Sequence, residues 1–164
     1  MSLHEEHVQE LCIREFQPGD EAAFRNLNVE WITHYFRLEP KDEKVFGDPQ
    51  GAILALGGKI FFAIAGNQYL GCCALLHRRD DEFEVAKMAV TPASQGLGVG
   101  RKLLQTAIEA GRAAGARRLY LETNHTLTPA IRLYESVGFV HLPSDRITPS
   151  PYERADVYME MILE

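Results

Sequence analysis

Gln95-Gly96-Leu97-Gly98-Val99-Gly100 is the part of this 164-residue chain whose residue types most directly suggest binding chemistry. Glycines let backbone N–H groups turn toward a ligand and remove the side chains that would block it. The helical pattern that follows begins with unpaired N–H groups and a partial positive charge. Together these form a seat for a phosphate or pyrophosphate. Two familiar phosphate loops are excluded by the residues. A dinucleotide fingerprint needs glycine at position 101, which is Arg101, and a Walker A loop needs Lys-Ser/Thr after Gly100, where Arg101-Lys102 stands. What remains is a Q-x-x-G-x-G pattern, carried by Gln95, Gly98 and Gly100.

Such a loop needs a strand to end it on and a helix to open into. Val85, Ala86, Met88 and Val90 suit a buried strand over residues 84–90, and Thr91-Pro92 stops it. Val99, Leu103, Ala107, Ile108 and Gly111 share one stripe of a helix from 98 to about 114, ended by Gly115. Residues 117–123 (RRLYLET) follow as a strand, so the two strands should be parallel across a crossover. Upstream, residues 59–65 and 69–76 read as strands joined at Gly66-Asn67, with a charged loop at 78–81 before the next strand. Three successive strands with short connections imply an antiparallel meander and count against a Rossmann domain. A short strand at 11–16 precedes a helix over 21 to about 38, for which Asp20 is the expected cap. Trp31, Tyr35 and Phe36 on that helix fit either a core or a pocket wall. Pro40 starts a further helical piece, with Asp42 and Glu43 in its first turn, and 50–56 is irregular or a single turn. Thr128-Pro129 begins another helix, Gly138 ends it, 139–141 is a short strand, the proline-bearing stretch 143–152 is a loop, and 155–163 is the final strand.

A chain of this length supports one domain, residues 1–164, with 1–10 expected to be frayed. Hydrophobic content of 46% and charged content of 24% are those of an ordinary globular protein. A net charge of −6 argues against a nucleic-acid partner. It suits a cationic substrate and serves solubility equally. Cys12, Cys72 and Cys73 have no metal-ligand spacing, so no metal is expected and all three read as buried or half-buried thiols. No signal peptide or membrane-length apolar run is visible, which points to the cytoplasm without membrane association.

Asn124 and the later segment Ala130-Ile131-Arg132-Leu133-Tyr134-Glu135-Ser136-Val137-Gly138-Phe139 supply a second motif, N…A-x-x-L-Y-x-x-x-G-F. With the glycine loop before it, and elements in the order β-α-α-β-β-β-α-β-α-β-β, the chain resembles the GCN5-related N-acetyltransferases, the GNAT superfamily. The resemblance spans most of residues 11–163 and is weakest before 59 and at 143–154. It implies an α/β fold of the GNAT type: a mixed, mostly antiparallel twisted sheet of about six or seven strands with about four helices. In it the parallel strands 84–90 and 117–123 splay apart.

The resemblance also implies acetyl transfer from acetyl-CoA, as co-substrate, to a small-molecule or peptide amine in a ternary complex. The alternative is a non-catalytic acyl-CoA-binding module with a regulatory or sensing role. Pantetheine would lie against the main chain of Met88 and Val90, and the Met88 N–H would polarise the thioester carbonyl. The pyrophosphate would sit on amides from Gly96 through Arg101, including Gly98, Val99 and Gly100, in a loop that begins at Gln95. Asn124 would hydrogen-bond the cofactor arm. Tyr134 matches the family's general acid. Glu84, eleven residues before Gln95, resembles in position the catalytic glutamate of the histone-acetylating branch. It is placed on the parity of Ala86, Met88 and Val90; His77 and water are the other bases that would serve. Arg101 and Lys102 would add charge near the adenosine phosphates. Homodimers are common in the superfamily, and the sequence names no interface.

Overall fold

The structure is a computed structural model and describes residues 10–164; the expectation of a frayed start falls almost wholly on residues outside that range. Seven strands form one sheet in the order β1-β2-β3-β4-β5-β7-β6. They are β1 (Leu11–Glu15), β2 (Lys59–Ala65), β3 (Gln68–Arg79), β4 (Glu82–Val90), β5 (Arg118–Thr123), β6 (Val140–His141) and β7 (Val157–Ile162). Five helices accompany them: α1 (Glu21–Tyr35), α2 (Pro40–Gly47), α3 (Pro49–Ala52), α4 (Val99–Ala113) and α5 (Thr128–Val137). Every strand pair is antiparallel except β4 with β5.

The hairpins form where glycine or an acidic pair tolerates the turn. Gly66 adopts φ +59° between β2 and β3, the left-handed region that glycine enters without strain. The expected charged loop at 78–81 is shorter than anticipated. Arg78 and Arg79 remain in β3, and only Asp80-Asp81 turn, with Asp80 at φ +42°. Asp20 stands at the N-cap of α1, but its side chain makes no capping bond. Its carboxylate instead accepts from the Gln17 N–H (2.8 Å), Arg14 (2.7 Å) and the Tyr69 hydroxyl, which ties β1 and β3 to the start of the helix. Thr128 is the first residue of α5, with Leu127 at its N-cap.

Each sheet face is covered by helices. On one face Val99, Leu103, Leu104, Ala107 and Ile108 of α4 pack with Phe61, Val85, Leu119 and Leu121 of the strands and with Tyr134 of α5. On the other, Phe24, Leu27 and Ile32 of α1, Phe46 of α2 and Ile53 meet Ile60, Phe62, Cys72, Ala74 and Ala89. Cys72 and Cys73 alternate between these two cores as neighbouring strand residues must. Cys12, expected to be at least half-buried, is exposed because β1 is an edge strand.

Two departures from regularity in β4 prepare the site. Its parallel pairing with β5 runs only from Glu82↔Arg118 to Glu84↔Tyr120 and then stops. The paired end is held by a chain of charges: Arg118 bonds both Glu82 and Glu160, and Arg146 forks onto Glu160 at 2.6 and 2.8 Å. Toward β3, Ala86 opposes Ala74 while Ala89 opposes Cys72, so Lys87 and Met88 together face Cys73. This is a β-bulge, with Lys87 at φ +53°. It reverses the side-chain alternation. Glu84 and Ala86 point to the α1–α3 side, but Met88 and Val90 pack on the α4 side, so the shared parity expected for these four residues does not hold.

Candidate active site

The unpaired stretch of β4 opens onto a cavity of about 580 Å³ that reaches from the glycine loop to α1. At one end lies the turn after β4. Gln95 donates its side-chain amide to the Val90 carbonyl (3.3 Å), folding the loop back on the strand end. Gly96 and Gly98 follow at φ +80° and +82°, and no atom lies within 4 Å of where a Cβ would stand on either. The first helical bond of α4 runs from the Lys102 N–H to the Gly98 carbonyl (3.1 Å), so the amides of residues 98–101 have no helical acceptor. This is the open cradle of donors that a pyrophosphate requires. Gly100 has ordinary contact room toward Leu133 and Val90. Arg101 reaches α5 instead of the cradle, donating to Ser136 Oγ at 3.0 Å.

In the middle, Tyr134 projects from α5 against Phe139, its ring buried and its residue lining the cavity. Burial pushes its hydroxyl well above the usual tyrosine range, so it stays a proton donor. Asn124 also lines the cavity. Its Nδ2 donates to the Arg154 carbonyl (2.8 Å) and its Oδ1 accepts from the Thr126 N–H and hydroxyl, which binds the β5–α5 connection to the loop before β7. Val99, Met88 and Val90 line the same space.

The far end is built by α1, β4, β5 and the loop before β7. Trp31, Tyr35 and Phe36 form its wall, the pocket reading of that cluster. Glu84 lies here. Burial, then the neighbouring Glu122, push its carboxyl up to about 7, against the pull of Arg78, Lys87 and Lys41. His77, by contrast, lies outside the cavity at the β3–β4 turn, with Nε2 3.0 Å from the Asp80 carbonyl and its ring against Phe83.

Three further residues here, Glu122, Lys87 and Tyr152, escaped the sequence reading. Glu122, the last carboxylate of β5, has a buried Oε2 with no hydrogen-bond partner among the described residues. Lys87 is buried in the bulge and donates to the Tyr152 hydroxyl at 2.9 Å. Burial brings Lys87 down to about 8, opposed by Asp42. Behind them Asp42 is fully buried. Burial raises its carboxyl, but the Arg154 fork (2.6 and 2.7 Å), the Glu39 amide and Lys87 outweigh that and hold it below the usual range. A lysine inside the apolar run EVAKMAV was the one sequence signal for this cluster.

A mixed sheet that opens between two parallel strands, with a glycine-lined helix start at the mouth, is the frame of this site. The model of the Acetyltransferase (GNAT) family matches residues 21–139, and the chain belongs to that family. It is 32% identical to the [ribosomal protein bS18]-alanine N-acetyltransferase of Escherichia coli over 112 residues, 68% of this chain and 70% of that protein. It is 29% identical over 150 residues to the mycothiol acetyltransferase of Thermomonospora curvata, 86% of this chain but 48% of that protein. The chain thus spans about half the length, or less, of the first curated relatives it matches. Among solved structures, a GNAT-family acetyltransferase of Staphylococcus aureus superposes with a TM-score of 0.86 at 17% identity, covering 94% of this chain and all of that one. A Bacillus subtilis acetyltransferase in complex with CoA superposes at 0.71 with 21% identity, covering 94% and 100%. Among the described residues no helix is long and apolar enough to cross a membrane.

Proposed function

We propose that this protein is an N-acetyltransferase that moves the acetyl group of acetyl-CoA to a primary amine by direct attack. The observation that carries this reading is one continuous cavity. It joins the Gly96–Gly98 cradle, the unpaired edge of β4, Tyr134 and Glu84. The CoA bound by the Bacillus subtilis relative supports the same use of the fold here.

Acetyl-CoA supplies an acyl carbon activated as a thioester. The chain's residues do the rest. Amides of 96–101 receive the pyrophosphate, and the unpaired main chain of Met88 and Val90 receives the pantetheine arm. The Met88 N–H, turned by the bulge, donates to the carbonyl oxygen as negative charge develops there. Glu84 takes a proton from the entering ammonium, because only the neutral amine has a lone pair to attack with. The N–C bond forms, the C–S bond breaks, Tyr134 gives its proton to the departing sulfur, and the surplus proton on the new amide nitrogen passes through water to the tyrosinate, which restores Tyr134.

Calorimetric titration with acetyl-CoA and CoA tests the cofactor, and thiol release with primary amines tests the transfer. Micromolar or tighter binding followed by amine-dependent thiol release is expected. Absence of binding by the folded protein overturns the assignment; binding with no release from any amine indicates an acyl-CoA-binding module instead. Tyr134→Phe is expected to lower turnover about 10²-fold while leaving acetyl-CoA affinity nearly intact. Unchanged turnover would remove Tyr134 from the chemistry.

A further inference from the structure

The acceptor end of the cavity carries charges of both signs with incomplete partners in the protein. On the acidic side, Glu122 Oε2 is buried without a hydrogen bond. Within 4 Å, Glu84 has one cation among the described residues, Arg78 at 3.6 Å. A buried carboxylate oxygen left this way is costly unless a ligand completes it.

On the basic side, the Lys87 side chain is only 8% exposed. Its ammonium makes one good hydrogen bond, to the Tyr152 hydroxyl at 2.9 Å, and reaches Asp42 only at 3.5 Å. Asp42 is shared: Arg154 bonds both its oxygens and the Glu39 N–H bonds one of them, while the Lys87 ammonium also lies over the Tyr152 and Phe46 rings, 4.4 and 5.4 Å from their centroids. An ammonium has three donors, so Lys87 keeps capacity for a ligand. Glu84, Glu122, Lys87 and Tyr152 line both the main cavity and the smaller side lobe of about 180 Å³ that adjoins it. The backbone also holds Lys87 at φ +53°, where a side chain is strained and glycine would not be. The lysine is therefore displayed at the lobe at some cost.

Building on the acetyl-transfer reading, we propose that the acceptor is an amino carboxylate, received with its amine between Glu84 and Glu122 and its carboxylate at Lys87 and the Tyr152 hydroxyl. A plain diamine would find the two glutamates but would set a cation against buried Lys87. A phosphate would bring a second negative charge to a lobe whose one lysine, Lys87, already faces Asp42 and lies beside Glu84. The Trp31, Tyr35 and Phe36 wall leaves room for an apolar side chain on the acceptor.

The test compares amino carboxylates with partners that lack the carboxylate or its charge: leucine with isoamylamine, phenylalanine with phenethylamine, lysine with cadaverine, and each amino acid with its methyl ester. Thiol release from acetyl-CoA is the readout. At least one amino acid should exceed both its decarboxylated and its esterified partner tenfold or more in kcat/KM. In Lys87→Met that ratio should fall toward one, chiefly through KM. Tyr152→Phe, which keeps the ring, should lower it about threefold and serves if Lys87→Met does not fold.

Equal or better use of the decarboxylated or esterified compounds by the wild-type protein overturns the proposal, as does a ratio that survives in both variants. Acetyl-CoA binding with no turnover of any amino acid in the panel also overturns it. Failure to bind acetyl-CoA at all would instead sink the acetyl-transfer reading on which it rests.

Discussion

As the proposed base, Glu84 has to ionise in a place that resists ionisation. Burial and Glu122 raise its carboxyl from 4.5 to about 7. A base so tuned is half-ionised near neutrality, which is where proton removal from an amine is most effective. The tuning has a thermodynamic cost. In the unfolded chain the carboxyl loses its proton near 4.5, so between about pH 4.5 and 7 the folded state binds the extra proton. Stability therefore falls as pH rises through that window, by about 3 kcal/mol at most. Glu84→Gln removes the titration. Thermal melts should show the variant gaining on the wild type as pH moves from 5 to 8. Its kcat/KM should drop about 10²-fold and lose the ionisation near 7 on the acid limb. A stability difference that does not change with pH would mean that Glu84 titrates in the folded protein much as it does in water. The groups facing it are Glu122, Arg78, Lys87 and Lys41, and burial brings Lys87 down to about 8.

At the scale of elements, the site depends on where two regular structures are interrupted. β4 is paired to β5 at its ionic end and free beyond Glu84, and α4 starts with four uncommitted amides. Gly98 is the hinge between them. At φ +82° a β-branched side chain is strained, and its Cβ would fill the space before those amides. Gly98→Val should therefore weaken acetyl-CoA binding at least 10²-fold by calorimetry, while the α4 stripe keeps the protein folded. Unchanged affinity would show that the phosphates lie elsewhere. These elements were legible because their signals are local. The Gly66-Asn67 turn, the 3.6-residue stripe of α4 and the Thr91-Pro92 stop each act within a few residues. The bulge was not legible. A one-residue slip in pairing depends on what β3 presents across the ladder, and the run EVAKMAV reads as unbroken alternation. Missing the bulge put Met88 and Val90 on the face of Glu84. Lys87, Glu122 and Tyr152 were missed for the same kind of reason: they lie on two strands and a loop that only the folded sheet brings together. The charge lattice of Arg118, Glu82, Glu160 and Arg146 is non-local in the same way.

Over the whole molecule, the sheet is a continuous layer with one unpaired stretch at its centre. Edge strands normally bear unpaired main-chain groups; here the fourth and fifth of seven strands in sheet order pair where they begin and leave such a stretch toward their ends. Both faces are packed, by α4 and α5 on one side and α1–α3 on the other, so the gap cannot close by collapse. Buried donors and acceptors left in that state call for a partner, and the extended pantetheine arm can act as the missing strand segment. This makes amide hydrogen exchange diagnostic. Without ligand, amides of β2 and β3 in the paired part of the sheet should exchange slowly. Amides of β4 between 85 and 90 that do not bond to β3 should exchange much faster, despite their central position. Saturating acetyl-CoA should slow those amides and the amides of 96–101 together, and at 100 times its Kd it should add about 2.7 kcal/mol to stability. Protection of the glycine loop alone would mean that the nucleotide binds there while the arm lies outside the gap, and the ternary geometry proposed for Glu84 and Tyr134 would fail. Protection of both places the thioester between them.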